Sequence, residues 1–229
     1  MNKLTFKNSM STCHKIVTDS NGKRYIMDTS TIKPNVYGFG IIPKQVSVDM
    51  VEFGHHDQNF EFKAKPSPKY MGAVAATQPL TTILFKVFEG IFLKYNIHQR
   101  VFLKWGIVAL SAFIAYLLVK VYIKQAQKKV AERLPKNAKR YTATFTFAKR
   151  RDFSYWFGIG LVVIFVFLFM RANDGGEGIL LIPITILSWL FFIFWLGMTP
   201  IDYDYKNNII MLKSIEEKSM RNNKIGEDL

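Results

Sequence analysis

Residues 71–93 read MGAVAATQPLTTILFKVFEGIFL, a stretch long enough to cross a membrane yet interrupted by Gln78, Pro79, Lys86 and Glu89. Whether it crosses decides the side on which everything before it lies, and so which strands of the chain can meet. A crossing helix needs about 20 mainly apolar residues. Three later segments read more plainly as crossings. Residues 178–199 (GILLIPITILSWLFFIFWLGMT) carry no charge, residues 153–170 (FSYWFGIGLVVIFVFLFM) carry none either, and residues 105–122 are broken only by Lys120.

Composition agrees with that reading. The chain has 229 residues, 49% of them hydrophobic, and its 20 Phe concentrate between residues 71 and 200. The opening MNKLTFKNSMSTCHKIV has no apolar core of a secretory signal, which places the N-terminus in the cytoplasm. A lone cysteine, Cys13, excludes an internal disulfide framework. The net charge of +14 falls largely beside the apolar segments. It is therefore read as topology control and attraction to anionic lipid, not as a nucleic-acid footprint.

The positive-inside rule orients the segments. Between them lie Lys124, Lys128, Lys129, Arg133, Lys136, Lys139, Arg140, Lys149, Arg150 and Arg151 against Glu132 alone, so this linker is expected inside. The link RANDGGEG at 171–178 is expected outside, where Arg171, Asp174 and Glu177 form a candidate partner-contact loop. With both chain ends inside, residues 71–93 must supply a further crossing. Lys86 and Glu89, spaced i, i+3, would share one helical face and partly neutralise each other. An unpaired charge at mid-bilayer would cost about 2.5–3.5 kcal/mol on insertion scales. Lys94, Arg100 and Lys104 oppose this orientation, and the alternative is an interfacial or re-entrant segment.

Strand patterning supports four crossings. HKIVTDSNGKRYIMD alternates around Asn21-Gly22, a strong hairpin signal. Residues 46–53, 59–65 and 141–147 alternate as well, as do residues 201–213 around Asn207-Asn208. Isolated hairpins are marginal in water, so these strands are expected to pool into one sheet, which requires a shared compartment. The resulting expectation is a polytopic α-helical membrane protein of four spans in the bacterial plasma membrane. It has cytoplasmic termini and a small cytoplasmic β-rich domain assembled from N-terminal, central and C-terminal strands. Its parts are a β-rich region 1–70, a first helix pair 71–123, a basic linker with a strand 124–152, a second helical hairpin 153–199, and a hairpin and tail 200–229.

Chemistry is sparse. His55-His56-Asp57 are adjacent and so point to alternate faces of an extended chain, reading as a polar loop and not as metal ligands. Cys13-His14 lacks an identifiable base and orienting group, and His98 stands alone. No phosphate loop, nucleophile elbow or zinc signature is present. No catalytic residue, metal or cofactor is therefore assigned. Lys86 and Glu89 form the sharpest candidate site, either lining an ion path or snorkelling to headgroups.

The stretch HKIVTDSNGKRYIMDTSTIKPNVYGFGIIPKQVSVD resembles the start of a Gram-positive membrane family of unknown-function domains nicknamed tandem five-transmembrane proteins. The matching positions are Arg24-Tyr25-Ile26-Met27-Asp28, Tyr37-Gly38-Phe39 and Ile42-Pro43-Lys44, followed by GAVAATQPLTTILFKVFEGIFLKYNI. The likeness covers about residues 14–100. The family's usual Trp between the strands is absent here. The resemblance implies an immunity protein that neutralises a membrane-depolarising toxin delivered by type VII secretion, with that toxin and membrane lipids as partners. A small transporter or channel component using Lys86 and Glu89, or a membrane-tethered scaffold, are the alternatives from the residues themselves.

Overall fold

Asp19 decides the hairpin around Asn21-Gly22. Its Oδ1 accepts the amides of Asn21 (2.8 Å) and Lys23 (2.9 Å), while Gly22 takes the left-handed φ of 79° that a side chain would resist. The computed structural model describes residues 4–34, 43–54, 60, 71–135, 137–149 and 154–218, with residues 71–81 and 154–155 described by backbone only. The chain divides into a sheet unit (Met1–Lys63, Tyr122–Asp152 and Phe194–Leu229) and a helical unit (Ala64–Val121 and Phe153–Ile193).

The sheet unit holds six strands: β1 (Thr5–Asn8), β2 (His14–Thr18), β3 (Arg24–Lys33), β4 (Gln45–Phe53), β5 (Arg140–Phe147) and β6 (Ile210–Glu217). They pair antiparallel in sequence order, β1 to β6. N-terminal, central and C-terminal strands thus lie in one open sheet. Alternation gives it two faces. One buries Val17, Tyr25, Met27, Val46, Val48, Met50, Ala143, Phe145 and Ile210. A short helix, α5 (Ile201–Lys206), adds Ile201 and Tyr205 to that core. On the other face Ile16, Ile26 and Phe53 pack with Phe60, Val130 of α2 and Leu134 just beyond its end.

In the helical unit, α1 (Met71–Lys94) leads through a 3₁₀ turn (Ile97–Gln99) into α2 (Val101–Ala131), which enters the sheet unit at Tyr122. Then come α3 (Ser154–Arg171), a 3₁₀ turn (Gly176–Leu180) and α4 (Leu181–Leu196). Phe92, Ile97, Phe169, Leu181 and Ile184 form this unit's core.

The fold corrects the four-span expectation. Among the described residues two helices are long and apolar enough to cross a membrane, Val101–Ala131 and Gly176–Leu196. α1 carries Lys86, Glu89 and Lys94 within its length. The apolar run Trp156–Arg171 of α3 is shorter than a span. Among the described residues the molecule is a six-stranded antiparallel sheet with five α-helices, not a four-span polytopic helical protein. A smaller correction concerns residues 201–213. Their period-two pattern begins as helix α5, and the strand starts only at Ile210 after Asn208, which has a φ of 55°.

Candidate functional site

The strand register sets one polar row across the α2-covered face of the sheet unit. His14 pairs with Asp28, Asp28 with Asp49, Asp49 with Thr142, and Thr142 with Glu216. The neighbouring row is apolar until its last member: Ile16, Ile26, Val51, Arg140. Two carboxylates placed directly opposite each other destabilise a sheet unless their surroundings compensate. Here a register shift follows at once in β3, between Asp28 and Lys33, and such irregularities re-aim side chains. Thr31 is turned so that its hydroxyl donates to the Asp28 carbonyl (2.7 Å) and accepts the Asp49 amide (2.9 Å).

The Asp28 carboxylate accepts three hydrogen bonds from two residues. Its Oδ1 accepts the amide of Ser30 at 2.9 Å and the Ser30 hydroxyl. Its Oδ2 accepts Gln127 Nε2 of α2 at 3.1 Å, and the same amide nitrogen reaches Ser30 Oγ at 2.8 Å. His14 Nε2 stands 3.8 Å from Oδ2, too far for a hydrogen bond. The other ring nitrogen, Nδ1, lies 2.9 Å from Ser11 Oγ. His14 is 4% exposed, and burial holds its pKa below the ordinary value despite the opposing pull of Asp28. The imidazole is therefore neutral at pH 7. Asp49 is engaged by Lys218 Nζ (2.7 Å) and the Thr142 hydroxyl (3.4 Å).

Above this row is a cavity of about 360 Å³. His14, Asp28, Asp49 and Gln127 supply its polar surface, Ile26, Val51, Val130 and Leu134 its apolar walls, and Arg140 and Lys218 two cations. Ser11 does not line it, so Ser11, His14 and Asp28 do not form a nucleophilic trio facing this space. Ser11 orients the imidazole. Sequence reasoning missed the row because it depends on register across five strands. The available signal was the alternation that puts His14, Ile16, Ile26 and Asp28 on one face.

The residues singled out from sequence are dispersed. Lys86 is exposed and Glu89 half-buried, and neither enters an ion pair among the described residues. The buried pair of the helical unit is another: Lys104 Nζ lies 2.8 Å from Glu177 Oε1. Lys104 also donates to the carbonyl of Ala172 and, at 3.1 Å, to Asn173 Oδ1. Glu177 Oε2 accepts the Gly175 amide at 2.7 Å. This removes Glu177 from the expected contact loop. Arg171 and Asp174 remain exposed, and Asp174 Oδ1 accepts the Gly176 amide at 3.0 Å.

Cys13 is fully buried, and burial raises its thiol to about 11. It is an inert core group. His98 Nδ1 stands 3.3 Å from the Phe92 carbonyl, a local tie. His55, His56 and Asp57 lie outside the described residues. Among the described residues no cluster of His, Cys, Asp and Glu has the arrangement to hold a metal ion. No protein-family model, curated protein or solved structure matches the chain.

Proposed function

We propose that the chain is a non-enzymatic, membrane-associated binding protein, tethered by its helical unit and presenting the cavity of its sheet unit to a ligand. One observation carries the membrane part: the helical unit keeps its ion pair inside and its apolar side chains outside. Lys104 and Glu177 are 1% and 0% exposed as side chains, whereas Phe102 is 94%, Phe157 69% and Val163 60% exposed. Water selects the opposite distribution. Hydrocarbon favours this one, because charge survives there only when paired in the interior. The basic residues from Lys124 to Lys149 support placing the sheet unit on the cytoplasmic side.

Alkaline carbonate extraction of membranes tests the tether. Retention in the pellet is expected, and release of the full chain into the supernatant overturns it. Sidedness is read with a Cys13→Ser, Ser20→Cys chain and a membrane-impermeant maleimide added to intact cells. No labelling is expected until the cells are lysed.

The likeness of residues 14–100 to an immunity family favours a second reading, in which the bound partner is a membrane-depolarising secreted toxin. The exposed apolar side chains of the helices support it, since they offer a surface against which a membrane-inserted partner can pack. Co-expression with a toxin encoded nearby should preserve membrane potential, and continued depolarisation counts against this reading. The transporter alternative draws no support from Lys86 and Glu89, which form no ion pair with each other.

A further inference from the structure

The inner polar surface of the sheet unit's cavity is short of partners in one sense only. Its donors are spent. The two N–H bonds of Gln127 are directed to Asp28 and Ser30, the Ser30 hydroxyl to Asp28, and the Thr31 hydroxyl to the Asp28 carbonyl. Its acceptors are not. A carboxylate oxygen has two acceptor sites, and Asp28 Oδ2 receives one hydrogen bond among the described residues. His14, nine-tenths buried and lining the cavity, faces the same oxygen from 3.8 Å. Nδ1 is engaged by Ser11 Oγ and Nε2 has no hydrogen-bond partner among the described residues; in the tautomer that carries its hydrogen on Nδ1, the Nε2 lone pair is a second acceptor beside the first. A third group that donates twice would satisfy both.

The two cations do not fill this need. Lys218 is exposed and spent on Asp49 at 2.7 Å, and the side chain of Arg140 is exposed. Lys218 does show what the row accepts: an ammonium seated on a carboxylate. Beside Asp28 the walls are aliphatic, from Ile26, Val130 and Leu134.

We propose that this cavity binds a small organic ammonium, its N–H groups bridging Asp28 Oδ2 and His14 Nε2 and its hydrocarbon part lying against α2. This rests on the reading of the sheet unit as a binding module and names the ligand class. A volume of about 360 Å³ lies within the range of small-molecule sites.

Calorimetric titration of the full chain in lipid nanodiscs with n-butylammonium, n-butanol and n-butyrate tests it. Butylammonium alone should bind. Asp28→Asn should weaken it by about tenfold or more, the scale of a lost charged hydrogen bond. Ala131→Phe, which fills the cavity from α2 and leaves the polar row intact, should abolish binding and covers the case in which Asp28→Asn fails to fold. If butanol or butyrate binds as tightly and Ala131→Phe blocks it, the ammonium assignment is wrong while the binding module stands. Binding of none of the three overturns both. Unchanged butylammonium affinity in a folded Asp28→Asn chain overturns the assignment alone.

Discussion

Lys104 Nζ and Glu177 Oε1 are 2.8 Å apart with both side chains out of contact with solvent. Lys104 sits in the first turn of α2, and Glu177 lies in the 3₁₀ turn that precedes α4. Inside a protein such a pair offsets its own desolvation only when every remaining donor and acceptor is met. Here the ammonium reaches the Ala172 carbonyl and Asn173, its charge lies 5.7 Å from the centre of the Phe169 ring, and Glu177 Oε2 takes the Gly175 amide, while Oε1 is met by the ammonium's charge alone and accepts no hydrogen bond among the described residues. The pair ties the start of α2 to the connection between α3 and α4.

Removing one partner leaves a buried charge, so Lys104→Met should destabilise the helical unit by about 3–5 kcal/mol. Glu177→Gln should cost less, because the amide oxygen can still accept Gly175 and the ammonium keeps its carbonyls. The double variant Lys104→Met, Glu177→Leu should be milder than the sum of the two single losses. Thermal unfolding of the four proteins in one detergent measures this. Strict additivity would show that the two groups do not act together.

Gly178 marks where the 3₁₀ turn meets α1. A Cβ there would stand 2.8 Å from the Cβ of Phe88 and 3.1 Å from the Phe92 ring, and Phe92 is 2% exposed with no room to swing away. Gly178→Val should therefore cost about 1–3 kcal/mol by overpacking. Gly158→Val, where a Cβ meets nothing within 4 Å, should leave the melting temperature nearly unchanged. Equal shifts for the two would contradict the close packing at Gly178.

The hairpin around Asn21-Gly22 was legible because turn chemistry and alternation act locally. Residues 46–53 and 141–147 showed the same period, and β4 and β5 fall within one residue of them; β1 was not read from sequence, and the strand expected at 59–65 lies, apart from Phe60, outside the described residues. The end of the chain was not legible: Ile201, Tyr203 and Tyr205 alternate with Asp and Lys, a pattern that a single helical turn and a half also satisfies. The ion pair was missed because sequence proximity favoured Lys86 with Glu89, whereas burial selects partners by tertiary contact. Lys104 and Glu177 are separated by β5 and α3, and nothing local links them. His14 and Asp28 were likewise visible only as strand residues until register set them opposite each other.

Acid should weaken the sheet unit through His14. Burial holds its folded pKa below the ordinary imidazole value of about 6.5, with Asp28 pulling the other way. Below 6.5 the unfolded chain binds a proton that the folded chain resists. Stability therefore rises with pH through this window and is lost as pH falls through it. His14→Gln, which retains a donor and an acceptor but does not titrate, should flatten the slope between about pH 6.5 and 5. Urea titrations at half-unit pH steps, followed by the Trp-independent far-ultraviolet signal of the sheet, provide the check. An unchanged slope would leave the carboxylates as its source.

Alkali acts on the opposite face. The Tyr141 hydroxyl donates to Glu52 Oε2 at 2.8 Å, and its ring meets Tyr25 edge-on at 5.3 Å. The bond to Glu52 is the first cause and burial the second of a pKa raised well above the usual phenol value for Tyr141, while burial and then Asp19 and Glu52 lift Tyr25 to about 12. Both groups have folded pKa values above their unfolded ones. Their contribution is complete below pH 10 and disappears as pH rises through the folded values. Tyr141→Phe should lower stability at pH 8 by about 1 kcal/mol, the net worth of one hydrogen bond, and reduce the loss between pH 10 and 12. Phenolate absorbance at 295 nm should show one fewer late-titrating tyrosine in the variant. If the late component persists undiminished, Tyr141 is not held neutral by Glu52.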